Sequence, residues 1–432
     1  MEPASAATTR EKVSWCLFDF ANSAFNTVVT TFVYSVFFAQ VLVGDELRGN
    51  ALWADALVIS GLAVAAFAPV LGARADQIRG KKLYLVLMSG VVIAATALLY
   101  IPGVAPGADR ASPFHLALAL VLVVTANVAF EAMFVFYNAF LPGLGDAATI
   151  GRLSGYGWGL GYAGGLLCLA LCLGMIGFGG IPAWLPADGH VNVRATNLLV
   201  AGWFLVFALP AFLFLRDRTP RNRPAATVGA WAQVLATVRA LRGYPDLLRL
   251  LVARLLYNDA LLALIGLAGL YMGTTLGMGP GQIVLLAILL NVIAGVGAVG
   301  FGYLDDRIGA RISVLASIGL LGGGTLLAIA IPTQGAFYVA AVLVGLGMGP
   351  NQSASRTLLA RFTPAGRESE FAGLFALSGK AANWIAALAY GLLIRATGEQ
   401  RLALLPIVVL FALGAVLAWP IDEARGRARA AA

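Results

Sequence analysis

Few side chains in this sequence carry a charge or a hydrogen-bonding group inside a long apolar run, and those few are where its chemistry must lie. Near the N-terminus Asp19, Asn22, Ser23, Asn26 and Thr30 recur at helical spacing, within a sector of about 100° on a helix of 3.6 residues per turn. Such a stripe needs water or another polar helix beside it, so it is read as cavity lining, with helix–helix hydrogen bonding as the bland alternative. Asn127, Glu131 and Asn138 share one face of a later apolar run, with Phe134 between them. Glu131 is a carboxylate in an otherwise uncharged run, which makes it the first candidate for moving a proton, with Asp19 or Asp259 as a partner in that work. Asp19 lies near the end of its run, so a solvated structural role competes there. Lys380, with Asn383 and Trp384 close by, has no charge in its own run to neutralise it. It must find a carboxylate on another helix or an anionic group on a solute. Arg356, one turn after Gln352, and Arg254, four residues before Asn258, are read as gating ion pairs, with direct solute binding as the alternative. Asn351, Trp158 and Tyr162 complete the candidate solute contacts.

Other chemistries lack their residues. Cys16, Cys168 and Cys172 all lie in apolar runs; no His, Asp or Glu accompanies the last two on their helical face, so small core residues are the expected reading rather than a metal site. The histidines, His115 and His190, fall in or beside loops, which argues against a histidine relay. No nucleophile–base pair and no phosphate-cradling loop appears, so neither an enzyme nor an ATP-driven pump is expected, and no cofactor.

These residues must be positioned by membrane helices. Of 432 residues, 60% are hydrophobic and 12% charged, with mean hydropathy +0.86, too few charges for a water-facing surface of this size. The formal charge of +8 comes from short loops and forms no contiguous stripe, so a nucleic-acid partner is not expected. Runs of about 20 apolar residues span the hydrocarbon, and twelve are found, near 14–41, 51–72, 83–101, 114–141, 152–178, 196–215, 247–272, 281–303, 312–331, 336–360, 370–394 and 402–419. The first is too long, and too polar at Asp19, Asn22 and Asn26, for a cleaved signal. Loop Lys and Arg number twenty on the side of the termini against five opposite, so both termini are expected to be cytoplasmic. Residues 216–246 open with Arg216, Arg218, Pro220, Arg221, Arg223 and Pro224, a link between halves. Trp231, Val234, Leu235, Val238 and Leu241 then recur at helical spacing, with Gln233, Thr237, Arg239 and Arg242 elsewhere on the wheel. An amphipathic helix lying in the lipid interface is expected.

GARADQIRGKK at 72–82 and GYLDDRIGAR at 302–311 follow the second and eighth spans. The second copy, with Gly302, Asp306, Arg307, Gly309 and Arg311, closely resembles the cytoplasmic loop signature of the major facilitator superfamily. The first keeps Gly72, Asp76, Gly80, Lys81 and Lys82 with one extra residue before Gly80. A Gly-permitted turn whose Asp pairs with nearby cations would latch two halves together. Gly155 and Gly161 match Gly373 and Gly379, and Asp19 matches Asn258 or Asp259. The resemblance implies an all-α membrane protein of twelve transmembrane helices in two pseudo-symmetric six-helix bundles, 1–215 and 247–432, around a central cavity.

A narrower resemblance lies in WCLFDFANSAFNTVV (15–29), YNAFLPGL (137–144), RLSGYGWGLGYAGG (152–165), LLYNDALLALI (255–265) and GPNQSASRTLLARFTPAGRESEFAGLFALSGKAANW (349–384). These look like the vacuolar amino-acid effluxer family and its bacterial relatives. It implies secondary transport of a small solute, with amino-acid efflux as the yeast precedent. Acidic groups in one half and basic groups in the other would suit a zwitterion, or could be gates that never touch solute. The expectation is a proton-coupled secondary transporter, a functional monomer in the cell inner membrane; a lipid or lysolipid translocator and a non-transporting sensor are the alternatives.

Overall fold

The computed structural model describes residues 6–78, 80–177, 182–218, 229–382 and 384–431. Among them are twelve long helices: α1 (Thr9–Leu42), α2 (Glu46–Ile78), α3 (Lys81–Leu98), α4 (Pro113–Phe140), α5 (Ile150–Ile176), α6 (Val191–Phe214), α7 (Pro245–Thr274), α8 (Pro280–Ile308), α9 (Ala310–Ala330), α10 (Gln334–Phe362), α11 (Glu368–Thr397) and α12 (Gln400–Ala418). Eleven are long and apolar enough to cross a membrane; α10 has 29 residues but carries the polar stretch Asn351–Thr357. Each predicted span lies on one helix. Several helices overrun it, as α2 does with 33 residues, because hydropathy reports only the part in hydrocarbon, about 20 residues. Leu62, Val121, Leu285 and Val296 stand exposed on the outer faces, as lipid contact requires.

Two helices are irregular where they pass the centre. α1 opens on a Thr8 cap reciprocated by Glu11 and widens into π-turns over Phe25–Phe32 and Phe38–Leu42, through a β-branched run that crowds a regular helix. α11 breaks after Lys380 and resumes at Ile385. The buried Asp259 carboxylate of α7 accepts from the Ala386 amide at 2.8 Å and so caps the resumed half. In a bilayer that amide has no water to satisfy it.

The two halves meet along two matching seams, α2 against α11 and α5 against α8. A methyl at Gly72 would stand 2.1 Å from the Ser369 carbonyl, and one at Gly155 2.4 Å from that of Ala298. Glycine therefore sets how closely each seam closes. The matched pairs extend this symmetry: Gly373 abuts Ala68 of α2, Gly161 abuts Ser23 of α1, and Gly379 abuts Arg254 of α7.

The segment between the halves contains a helix over Ala230–Ala240; Pro220, Arg221, Arg223 and Pro224 lie outside the described residues, as do Arg79 and Asn383. Trp231, Leu235 and Val238 are exposed, as an interfacial face requires, while Val234 and Leu241 are buried. Of the polar positions, Arg239 and Arg242 are exposed, while Gln233 and Thr237 turn inward. Gln233 bonds Gln77 at 2.6 Å and Glu370 at 3.1 Å, and Thr237 donates to Glu370. A buried carboxylate in the first turn of α11 attracts them. The basic C-terminal tail is a docked helix, Glu423–Ala431, held by Arg425–Asp246 at 2.5 Å and Arg361–Glu423 at 2.7 Å.

Candidate functional site

A cavity of about 600 Å³ lies between the halves. Its walls are mostly Phe, Leu, Ile, Met and Ala, with polar groups set among them. The first half contributes Asn22, Asn26, Glu131, Asn138, Trp158 and Tyr162; the second contributes Arg254, Asn258, Gln352, Arg356 and Lys380. The stripe read from α1 therefore does face a cavity at Asn22, Ser23 and Asn26. Asp19, Asp259, Asn351 and Trp384 do not line it. Asn351 is fully buried and donates to Ser317 of α9 at 3.1 Å. Trp384 is 60% exposed on the outside, at the head of the resumed half of α11.

Lys380 finds its carboxylate on the opposite half: its ammonium is 2.9 Å from Glu131, and both side chains are about one quarter exposed. Neither α4 nor α11 holds another charge that could do this, so the pair ties the halves across the cavity. Beside it, Asn258 donates to the Gly379 carbonyl at 2.9 Å and accepts from Gln352 at 3.2 Å. Arg254, read from the sequence as a gate, stands in the cavity wall. It is 8% exposed, lies 3.8 Å over the Phe375 ring and donates to the Phe375 carbonyl at 3.1 Å.

Arg356 closes the floor. Its guanidinium is 3.0 Å from the Asp19 carboxylate and bonds the Ser154 hydroxyl and carbonyl at 3.0 and 2.7 Å. The rings of Trp15, Tyr137 and Trp158 pack around it, with centroids 4.7, 5.5 and 5.5 Å away. Gly157 leaves room, since a methyl there would sit 2.7 Å from Asp19 and 2.9 Å from Arg356. The pair joins α1 to α10 across 337 positions of sequence. Full hydrogen bonding and cation–π contact offset the cost of burying two charges.

Beyond this floor the side that carries both termini is sealed by the two loop repeats. The latching Asp residues were expected to pair with cations; they mainly cap helices of the opposite half. Asp76 accepts from the amides of Ser369 and Glu370 at 3.1 and 2.8 Å, at the start of α11. Asp306 accepts from Gly151 and Arg152 at 2.8 and 3.2 Å, at the start of α5. Orphan amides and the positive end of the helix dipole make a helix start a site for a carboxylate. Cations are secondary: Lys81 lies 3.3 Å from Glu368, and Arg152 and Arg361 lie 3.4 and 3.7 Å from Asp306. Arg307 is exposed and makes no ion pair among the described residues. Gly302 lies against Arg152 and Gly309 turns at φ 97°. Arg311 donates its amide to Glu423 at 2.8 Å and lies over Trp419.

Sequence reading missed Ser154, Arg361, Glu370 and Glu423. A carboxylate in the first turn of an apolar helix was the available signal for Glu370; the others show nothing until the halves are assembled.

The sequence matches a family model described as "Vacuole effluxer Atg22 like" over residues 46–431. It is 25% identical over 414 residues to an uncharacterized MFS-type transporter, YxiO, of Bacillus subtilis, covering 95% of this chain and 94% of that protein. It is 26% identical over 305 residues to autophagy-related protein 22 of Botryotinia fuckeliana, covering 64% of this chain but only 44% of the fungal protein. Similar solved structures include a bacterial homologue of the iron transporter ferroportin in an outward-facing state (TM-score 0.71, 18% identity, 95% of this chain and 98% of that one). The E. coli fucose:proton symporter FucP is another (TM-score 0.73, 14% identity, 96% and 98%). At such identities these two establish the fold, a major facilitator fold.

Proposed function

Because the chain belongs to the vacuole effluxer Atg22-like family of MFS-type transporters, we propose that it moves a small zwitterionic solute, an amino acid or close analogue, by alternating access coupled to protons. The observation that carries this reading is the Glu131–Lys380 pair, 2.9 Å apart and bridging the halves inside the cavity. A solute ammonium competes with Lys380 for Glu131, so binding dissolves the tie that holds the halves in one arrangement. A proton on Glu131 does the same by removing its charge, which couples the two events.

In this reading the sealed side is cytoplasmic, as the Lys and Arg count expects, and the protein is an outward-facing monomer of the inner membrane working in the efflux direction. Arg356–Asp19 and the two carboxylate caps are the gate that opens to load solute from the cytoplasm. The apolar cavity walls keep a lipid or lysolipid cargo as the second reading.

The test is flux of a radiolabelled amino acid panel into proteoliposomes under an imposed pH gradient. Native protein should accumulate one or more of them until a protonophore collapses the gradient. Glu131→Gln should lose the pH dependence of whatever flux remains. A variant that kept both flux and its pH dependence would remove the proton role, and flux of lysolipid alone would remove the amino-acid reading.

A further inference from the structure

Among the described residues the cavity is lined by four charged side chains: Glu131, Arg254, Arg356 and Lys380. Two of the cations are balanced at contact distance, Lys380 by Glu131 at 2.9 Å and Arg356 by Asp19 at 3.0 Å. Arg254 has no carboxylate within ion-pair distance among the described residues. Its guanidinium makes one hydrogen bond, to the Phe375 carbonyl, while its Nε is buried with no partner. A buried cation left short of both a counter-charge and a hydrogen bond is costly, and a charged group in a membrane interior usually marks a ligand pathway.

The surroundings hold this cation in place rather than let it turn away. The guanidinium carbon stands over the Phe375 ring, 3.8 Å from its centroid. Gly379 makes room for it, because a methyl there would stand 2.2 Å from its terminal nitrogen. Asn258, one turn along α7, faces the same cavity and is fixed by Gly379 and Gln352. Across the cavity the first half holds the unpartnered buried amide oxygens of Asn22 and Asn138 and the unpartnered Trp158 indole N–H, on the same side as Glu131. The spare cation thus stands on the second half.

We infer that Arg254 is the anchor for a single anionic group of the solute, a carboxylate, which completes its charge. The inference deepens the carrier reading above and rests on it for calling the ligand a solute. It assigns the carboxylate to Arg254 and leaves Lys380 free to remain with Glu131 until the ammonium or a proton arrives. Guanidinium suits this role, because its planar fork matches a carboxylate and it stays charged when buried.

Three probes sharing one skeleton test it: 3-phenylpropionate, 2-phenylethylammonium and L-phenylalanine, chosen because Phe130, Phe134, Phe337 and Phe375 line the cavity. Dissociation constants are measured on the purified full chain, with sodium chloride titrated as a separate arm. Native protein should bind the two carboxylates and bind the ammonium probe at least about tenfold more weakly. Arg254→Gln should weaken both carboxylates by at least about tenfold, the size of a lost charge-assisted hydrogen bond, and Arg254→Lys by less. If Arg254→Gln does not fold, Gly379→Ala, which keeps the charge but displaces it, is read instead and should show the same loss. Preference for the ammonium probe, affinities within about twofold after either change, or protection by chloride without binding of any carboxylate would each overturn the assignment. Flux in proteoliposomes separates this from the carrier reading. Carboxylate binding that depends on Arg254 without flux keeps the anchor and removes the carrier, and flux untouched by Arg254→Gln does the reverse.

Discussion

Arg356 and Asp19 are each 2% exposed, so neither can exchange its partner for water. Removing one leaves the other buried and uncompensated, at a cost of about 3–5 kcal/mol. Asp19→Asn should therefore lower the unfolding midpoint of the purified protein in detergent markedly, and Asp19→Asn with Arg356→Gln should recover part of the loss. Equal midpoints for single and double variants would deny that the pair is coupled. The charges themselves were plain in the sequence, each the one charged residue of its predicted span. Their pairing was not, because 337 positions separate them and Asp19 could as well have been a solvated end residue. Lys380 is the same case: its need for a counter-charge was legible, while the choice between carboxylate and solute was made by the approach of α4 to α11.

At the scale of helices, the latches show the limit of reading charge patterns. Asp76 and Asp306 stand beside Arg and Lys in sequence, yet their main partners are backbone amides at the starts of α11 and α5. A carboxylate at a helix start is worth about 0.5–2 kcal/mol over Ala, so Asp76→Ala with Asp306→Ala should shift the balance between sealed and open states by about fivefold or more. Spin labels at Ile78→Cys and Ala365→Cys, on opposite halves at the sealed end, should report a longer distance population in that double variant and a single short one in the native chain. Unchanged distances would mean that packing alone holds the seam. Gly72→Leu drives a side chain into a gap that a methyl already overfills, 2.1 Å from the Ser369 carbonyl, and should open the same distance without touching a charge. The linker helix was legible as amphipathic from its period. Which face turned inward was decided by Glu370, a residue 133 positions from Thr237.

For the whole molecule, the proposed alternating access requires both seams to open together, since each caps a helix of the opposite half. Holding one shut should stop transport and spare binding. A short reversible thiol cross-link between Lys81→Cys and Glu368→Cys, whose native side chains meet at 3.3 Å, should abolish flux, leave probe binding in the cavity, and release flux on reduction. The native cysteines are all buried and should not compete. Flux that persisted through the cross-link would exclude rocking of the halves about this seam. The sequence by itself determined the number of helices, their boundaries to within a few turns, the repeat that makes two halves, and the identity of nearly every polar group inside. It could do so because hydropathy and period are local properties, written within 20 or 30 residues. Only the tertiary structure decided which polar groups share the cavity, that Asp259 caps a broken helix instead of facing solute, and that Arg254 is the cation left over. Charge balance in a low-dielectric interior is a sum over helices distant in the chain, and no segment contains it.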